Sequence, residues 1–322
     1  MQKRGKTAKG TQRWLCIKCT TSHSLGHETQ KQGRLLDHFV AWLLGKQSQA
    51  ELGNGITDRT WRTQISWCWN IIPKSILLND SESIVLLDGT IVGHLVCLIA
   101  RNITHVLNWR WVAWESSHTW ELLLNDIAPP VVVVCDGQKG ILLAIARCWP
   151  ETRIQRCLFH VWQNIRVKLT LHPQTEAGQE LLIHFRAIWK INNLEHAHNW
   201  IIVFRNLYMK HENFLKQRTY LRNPEPNQRK WWYTHRSVRS TYRQLDKLIK
   251  DNQLFTYLDI ELIKQVNQVI PKTTNYLEGG INSQLKHKLR LHRGLNQIHQ
   301  QRLTDWFLYS KTKARKPPRN FL

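Results

Sequence analysis

Acidic residues are scarce in this chain: 23 Asp and Glu stand against 46 Lys and Arg in 322 residues, a formal net charge of +23. That imbalance favours a polyanionic partner, either nucleic acid or an anionic membrane surface. Long apolar runs are missing too. None reaches the ~18 residues that a membrane-spanning helix needs. The longest, around residues 131–134, is broken by Asp136. No apolar stretch follows the basic N-terminus, so no secretory signal is expected. Cysteine occurs 7 times, an odd number without clustering, which suits a reducing compartment rather than a disulfide scaffold. Apolar residues are not short: at 42% they can build a core and argue against disorder. These absences predict a soluble, intracellular chain that spans no membrane and binds nucleic acid. Tryptophan, by contrast, is plentiful, with 16 residues that can fill cores or stack on bases.

Residues 1–34 are polar and basic. Over residues 35–72 the pattern turns helical. Leu35, Phe39, Trp42 and Leu43 share one face of a helix that Gly45 can end. Ser48 opens a short segment with Glu51 at capping-box spacing. Residues 53–55 read as a turn. Thr57 then caps a third helix, on which Trp61, Ile65 and Trp69 recur every four residues. Three short helices with tight turns predict a helix-turn-helix-like DNA-binding segment over residues 35–80.

The middle changes period. Ile84 to Leu87 read as a buried strand ending at Asp88-Gly89, and residues 90–101 and 105–114 as two further strands. A helix over 116–126 leads to a valine strand over 131–135 that ends at Asp136-Gly137. A helix over 139–148 and a short strand over 153–157 follow. The order βββαβαβ predicts an α/β core, over residues 81–160, with a parallel strand flanked by helices. Residues 161–270 read as an all-helical insertion, interrupted by a loop at 224–226. Residues 271–310 carry Glu278 on a further helix, and residues 311–322 form a basic flexible tail.

Asp88 and Asp136 share a local grammar of apolar strand, Asp, Gly. A carboxylate at the carboxyl end of a buried strand stands on a sheet rim, where open α/β folds bind ligands. Each Asp-Gly also reads as a plain strand-ending turn. As a pair in so basic a chain, they suggest an acidic pocket for divalent ions that meet a phosphodiester. Glu278 is the third candidate, heading a segment that carries Lys286, Lys288, Arg290 and Arg293.

Asp136-Gly137 and Trp149-Pro150 precede Gln155, Arg156, Cys157, Leu158, Phe159 and His160, with Asn164 beyond. Far downstream come Thr274, Asn275, Tyr276, Leu277, Glu278, Gly279, Gly280, Ile281 and Asn282, then His292, Arg293 and Gly294. Over residues 84–295 this spaced set resembles the DDE transposases of the Mutator-like superfamily, in the bacterial insertion-sequence branch. The resemblance implies an RNase H-like core with an all-helical insertion before the last acid. It maps a DDE triad onto Asp88, Asp136 and Glu278, and a Cys-x-x-His element onto Cys157 and His160. It implies two Mg²⁺ (or Mn²⁺) ions, with Asp88 bridging both and Asp136 and Glu278 each holding one. The implied partners are double-stranded DNA, as terminal inverted repeats and target, and further copies of the chain in a dimer or larger oligomer. The implied setting is the bacterial cytoplasm, at the nucleoid. For Cys157 and His160 two readings stay open: a role beside the carboxylates at the scissile phosphate, or a structural pair that could be half a zinc site.

Cys16 and Cys19 resemble the second knuckle of a zinc ribbon, as found at the head of some relatives. A ribbon needs two such pairs, and no Cys precedes Cys16. His23 and His27 could complete a set, with a spacing short for a finger, so Zn²⁺ stays open. DNA contacts are expected from Arg59, Arg62, Thr63 and Gln64 on the third helix. A second group is Arg229, Lys230, Trp231 and Trp232, where tryptophan can stack on an unpaired base or simply close a core. A third is Lys286, Arg290 and Arg293, read as one basic helix face. Three functions compete: an active DDE transposase that binds its element's ends and cuts and joins DNA, an inactive domesticated DNA-binding descendant, and a transcription regulator working through residues 35–72.

Overall fold

The computed structural model describes residues 1–24, 27–47, 49–51, 55, 57–75, 82–222, 225, 227, 228 and 230–322, with the side chains of all of these except 23, 27, 28 and 50. The chain forms two compact units: residues 1–76, 91–94 and 281–322 make one, and residues 77–90 and 95–280 the other.

The chain opens on a three-stranded antiparallel sheet of β1 (Gln2–Lys6), β2 (Gln12–Leu15) and β3 (Ser22–Ser24). Helix α1 (His27–Leu44) starts well before residue 35, where the apolar pattern begins. Its first turns hold exposed Gln30, Lys31 and Gln32, good helix formers that leave no apolar period to read. Leu36, Phe39 and Leu43 are fully buried along α1. A 3-10 turn (Gln49–Glu51), α2 (Asp58–Ile65) and a second 3-10 turn (Ser66–Asn70) follow. Thr57 caps α2, its hydroxyl accepting from the Thr60 N–H at 3.2 Å. Trp42 meets Trp61 edge-on at 5.9 Å, and Phe39 meets Trp69 edge-on at 4.7 Å. The regular tryptophan spacing therefore builds an aromatic core. Ser48 and the expected turn at residues 53 and 54 lie outside the described residues.

The central sheet runs β4 (Ile84–Val92), β5 (Leu95–Arg101), β6 (Val106–Val112), α3 (Ser117–Leu124), β7 (Val132–Cys135), α4 (Lys139–Cys148) and β8 (Arg153–Arg156). Strand order is β6-β5-β4-β7-β8, with β4, β7 and β8 parallel and β5–β6 antiparallel. Val85, Leu87, Val133 and Cys135 pack with Trp120 and Leu123 of α3 and with Ile141 and Ile145 of α4. The strand expected over residues 90–101 divides instead. β4 continues through Asp88 to Val92, and Gly93, at φ +61°, turns the chain into β5.

The insertion contains α5 (Leu158–Leu169), α6 (Glu176–Arg186), α7 (Leu194–Lys210), α8 (Glu212–Lys216), the strands β9 (Arg218–Tyr220) and β10 (Trp231–Tyr233), α9 (Arg236–Lys250) and α10 (Ile260–Val266). It is therefore not all-helical: β9 and β10 form an antiparallel hairpin. Strands of three residues are too short to show a two-residue period. The helices close on Phe185, Trp200, Phe204 and Tyr242, all buried.

The chain continues into α11 (Asn275–Leu277), a π-helical turn (Glu278–Asn282), α12 (Ser283–Leu291) and α13 (Gln297–Tyr309). The expected flexible tail is docked rather than free. Its 3-10 turn (Pro318–Phe321) sets the Phe321 ring 5.3 Å from Trp306 and 5.1 Å from Tyr309, and Arg319 Nε lies 2.8 Å from Asp37 Oδ2. One aromatic anchor and one ion pair outweigh the basic, proline-containing composition that suggested freedom.

Candidate active site

Parallel pairing sets the first two acids side by side. β4 and β7 pair Leu86 with Val134, so two residues further on Asp88 and Asp136 reach the same level and the same face, on strands about 5 Å apart. Asp88 is buried in β4. Asp136 leaves the end of β7, its Oδ1 accepting from the Gln138 N–H at 2.9 Å. The loop is held by Arg156, whose Nη2 donates to the Asp136 carbonyl at 2.7 Å. The guanidinium occupies the space a Cβ on Gly137 would need, 1.8 Å away, and Gly137 has φ +71°. Only glycine suits that position.

Glu278 reaches the same neighbourhood through the π-helical turn, a local irregularity common at functional sites. The Thr274 hydroxyl lies 3.0 Å from Glu278 Oε1 and 3.3 Å from Cys157 Sγ, and the Thr274 backbone N–H donates to that sulfur at 3.3 Å. Fully buried Cys157 thus ties the start of α5 to the segment that presents Glu278. His160, in the first turn of α5, sets Nδ1 3.6 Å from Glu278 Oε1. That nitrogen is buried and, among the described residues, meets no oxygen or nitrogen acceptor at hydrogen-bond distance.

The charges register this crowding. Burial pushes the Asp88 carboxyl up, and although His160 opposes the shift, Glu278, Asp136 and Glu115 add to it, reaching about 7. For His160, burial alone would lower the value. The Cys157 sulfur and the charges of Asp88 and Glu278 outweigh it and raise the imidazole to about 9.

The donor set fits divalent cations. The carboxylates supply hard oxygen ligands; the group whose ligand atoms lie within 4.8 Å of one another is Cys157, His160 and Glu278, a thiol, an imidazole and one carboxylate, without Asp88 or Asp136. Cys16 and Cys19 sit in the turn between β2 and β3, where the Thr21 side chain leads the influences that hold the Cys19 thiol down at about 7. Two thiols are half of a tetrahedral set. Among the described residues the only group of three or more metal-ligating side chains is the one around Glu278. The side chains of His23 and His27 lie outside the described ones.

Two residues of this neighbourhood escaped the sequence reading. Arg101, buried at the end of β5, donates from Nη1 to the Tyr276 carbonyl at 2.6 Å and from Nη2 to the Ile103 carbonyl at 2.8 Å, pinning the segment just before Glu278. A lone arginine closing an apolar strand was the available signal. Glu115 lies against Gly89; preceding a capped helix, it gave no signal of its own.

The expected DNA contacts divide. Arg59, Arg62 and Gln64 are exposed on α2, with Trp61 and Ile65 turned inward. Arg62 also lines a cavity of about 600 Å³ with Arg293, Trp69 and His299. Lys286 and Arg290 are exposed on α12, but Arg293 is not on that helix face. The helix stops at Leu291, and Gly294, at φ +99°, redirects the chain. In the hairpin Trp231 and Trp232 are half-buried, and the Arg218 guanidinium lies 4.0 Å over the Trp231 ring. One face of that ring is therefore closed to a base. Lys230 is exposed, and Arg229 lies outside the described residues. No helix among the described residues is long and apolar enough to cross a membrane.

Residues 75–225 match the family described as "Transposase, Mutator family". The transposase for insertion sequence element IS905 of Lactococcus lactis subsp. lactis (strain IL1403) is 29% identical over 150 residues, 42% of this chain and 37% of the relative. A probable transposase for an insertion sequence element of Corynebacterium diphtheriae is 25% identical over 141 residues, 40% and 41% of the two chains. The transposase for insertion sequence element IST2 of Acidithiobacillus ferrooxidans is 30% identical over 100 residues, 29% and 32%. The matched stretch thus spans about two-fifths or less of these relatives' own lengths. The central sheet, Asp88 and Asp136 fall within residues 75–225, the stretch that is similar to the Mutator-family transposase domain, and Glu278 lies beyond it.

Proposed function

We propose that this chain is an insertion-sequence transposase that binds the ends of its element and carries out metal-dependent strand cleavage and strand transfer, with Asp88, Asp136 and Glu278 as the DDE triad. The observation that carries the reading is the meeting of three acids from distant parts of the chain beside His160. The strand order β6-β5-β4-β7-β8, with β4, β7 and β8 parallel, supports an RNase H-like core.

Asp88, Asp136 and Glu278 would hold two Mg²⁺ or Mn²⁺ ions, which when bound polarise the phosphodiester and acidify the attacking water or 3′-hydroxyl. The chain's own residues do the positioning. Arg101 and Thr274 hold the Glu278 segment. Cys157 anchors Thr274, and His160 brings positive charge beside Glu278. In each step a new P–O bond forms as the bond to the leaving 3′-oxygen breaks, so one site serves cutting and joining.

DNA is held by exposed cations: Arg59 and Arg62 on α2, Lys286 and Arg290 on α12, and the arginine-capped hairpin. A dimer or larger assembly on two element ends, at the bacterial nucleoid, belongs to the same reading. The test is Mg²⁺-dependent cleavage of DNA carrying the element's own ends. No cleavage above that of the Asp88→Asn variant would reject the reading.

A further inference from the structure

Cys157, His160 and Glu278 bring together a different kind of donor set from the two aspartates. The Cys157 sulfur, a ring nitrogen of His160 and a carboxylate oxygen of Glu278 lie within 4.8 Å of one another. Asp88 and Asp136 offer oxygen alone, which suits Mg²⁺. A thiol and an imidazole suit a softer ion of the zinc class. The spacing separates a metal site from a plain ion pair. In an ion pair the imidazole N–H would reach the carboxylate at about 2.7–2.9 Å. His160 Nδ1 stands 3.6 Å from Glu278 Oε1. Zinc bonds of about 2.3 Å to sulfur and about 2.0–2.1 Å to nitrogen or oxygen set the ligand atoms of a tetrahedron roughly 3.3–3.6 Å apart. The observed gap matches an edge of that tetrahedron. The alternative is an imidazole that gives its proton to the Cys157 sulfur, with Glu278 a bystander. That sulfur already receives the backbone N–H of fully buried Thr274 at 3.3 Å, and the Thr274 hydroxyl lies 3.3 Å from it and 3.0 Å from Glu278 Oε1. One outer residue therefore orients two of the three donors, as the supporting shell of a metal site does. The His160 and Glu278 side chains are 23% and 24% exposed, so an ion can enter.

We propose that Cys157, His160 and Glu278 form a binding site for a zinc-class divalent cation, with Thr274 as its outer-shell support. The ion displaces the protons of the thiol and the imidazole. Three protein ligands leave the fourth tetrahedral position to water or a phosphate oxygen. Glu278 is shared with the Mg²⁺ site, so a zinc ion here withdraws the third acid from the triad and silences cleavage. That last consequence rests on the reading of Glu278 as a catalytic metal ligand; the binding site itself does not.

The test titrates the full chain with Co²⁺ and follows the sulfur-to-cobalt charge-transfer band in the near ultraviolet, with no DNA and no turnover. A Cys16→Ser/Cys19→Ser background removes the accessible N-terminal thiols. The band should saturate at one ion per chain, and one equivalent of Zn²⁺ should bleach it. Cys157→Ser should abolish it, and His160→Gln should weaken Co²⁺ binding at least about tenfold, the smallest loss seen even for outer partners. Asp88→Asn should leave the band and the affinity unchanged. No band, or a band that survives Cys157→Ser, overturns the site. A band lost in Asp88→Asn overturns it as well, by placing the ion among the aspartates. Should Cys157→Ser not fold, Glu278→Gln takes its place, and unchanged affinity there overturns the proposal. A chain that shows the band, yet cleaves its element's ends with Mg²⁺ no better than Asp88→Asn, keeps this site and loses the triad.

Discussion

His160 and His184 are both partly buried imidazoles, yet their surroundings drive them in opposite directions. His160 sits at the acidic centre, and its neighbours raise it to about 9. His184, on α6, stacks on Trp200 at 4.3 Å, and burial pushes it down to about 4. Burial opposes charge at both places, so the difference lies in the partners. In the insertion core the cheapest solution is a neutral ring among rings. At the acidic centre, carboxylates outweigh desolvation and retain a cation. The β9–β10 hairpin is a third solution. Arg218 lies over Trp231 at 4.0 Å and Arg239 over Tyr233 at 3.8 Å, so charge rests on π faces without deep burial.

The largest expected effect comes from emptying the acidic centre of its middle charge. Asp88→Asn should lower DNA cleavage by at least about 10³-fold, equivalent to the several kcal/mol that a bound ion contributes to the transition state. DNA affinity should stay within about twofold, because phosphate contacts lie on cations elsewhere. If binding is lost along with cleavage, Asp88 is a folding residue and the contrast between the two regions fails.

The second prediction concerns the neutral side of the contrast. The folded value of His184 lies below the ordinary 6.5, so as pH falls the unfolded chain takes up this proton first. The stabilisation from His184 is complete above 6.5 and is lost as pH falls towards 4, a change of about 2–3 kcal/mol. His184→Phe keeps the stack on Trp200 and should flatten that acid limb in urea unfolding measured from pH 4 to 7. A limb of the same slope in the variant would mean that His184 is solvated in solution.

Smaller effects test the cations. Replacing Lys286, Arg290 and Arg293 with Ala should reduce the slope of log affinity against log salt by roughly two to three units, at about 0.9 per phosphate contact. Arg293 stands off the α12 face, so a loss nearer two units is expected from Lys286 and Arg290 alone. Replacing Arg218 and Arg236, whose guanidinium lies 5.7 Å over the Trp232 ring, with Gln should remove about two units or less. If the hairpin works instead by stacking, Trp231→Ala should cost about 1–3 kcal/mol on single-stranded DNA with the salt slope unchanged. That outcome would separate the two uses of the same ring.

Much of the architecture could be read along the chain. The βββαβαβ order came from apolar strands punctuated by Asp-Gly and Pro-Pro, and the Thr57 cap and the inward-facing Trp61 and Ile65 from helical spacing. What could not be read lacked a local period. The polar start of α1 and the three-residue strands of the hairpin carry no period to read, and the docking of Phe321 depends on ring contacts with Trp306 and Tyr309.

The acidic centre divides along the same line. Residue types and the place of each acid after an apolar run singled out Asp88 and Asp136, although β4 runs on past Asp88 to Val92 and only Asp136 follows a strand's end. The parallel register decided that the two carboxylates stand level, with Leu86 against Val134. Tertiary packing alone brought Glu115 onto Gly89, Arg101 under Tyr276 and Cys157 onto Thr274. Backbone chemistry and hydrophobic period act over a few residues and are written in order along the chain. The electrostatics of a site depend on distances through space, which exist only once the sheet and its helices have closed around it.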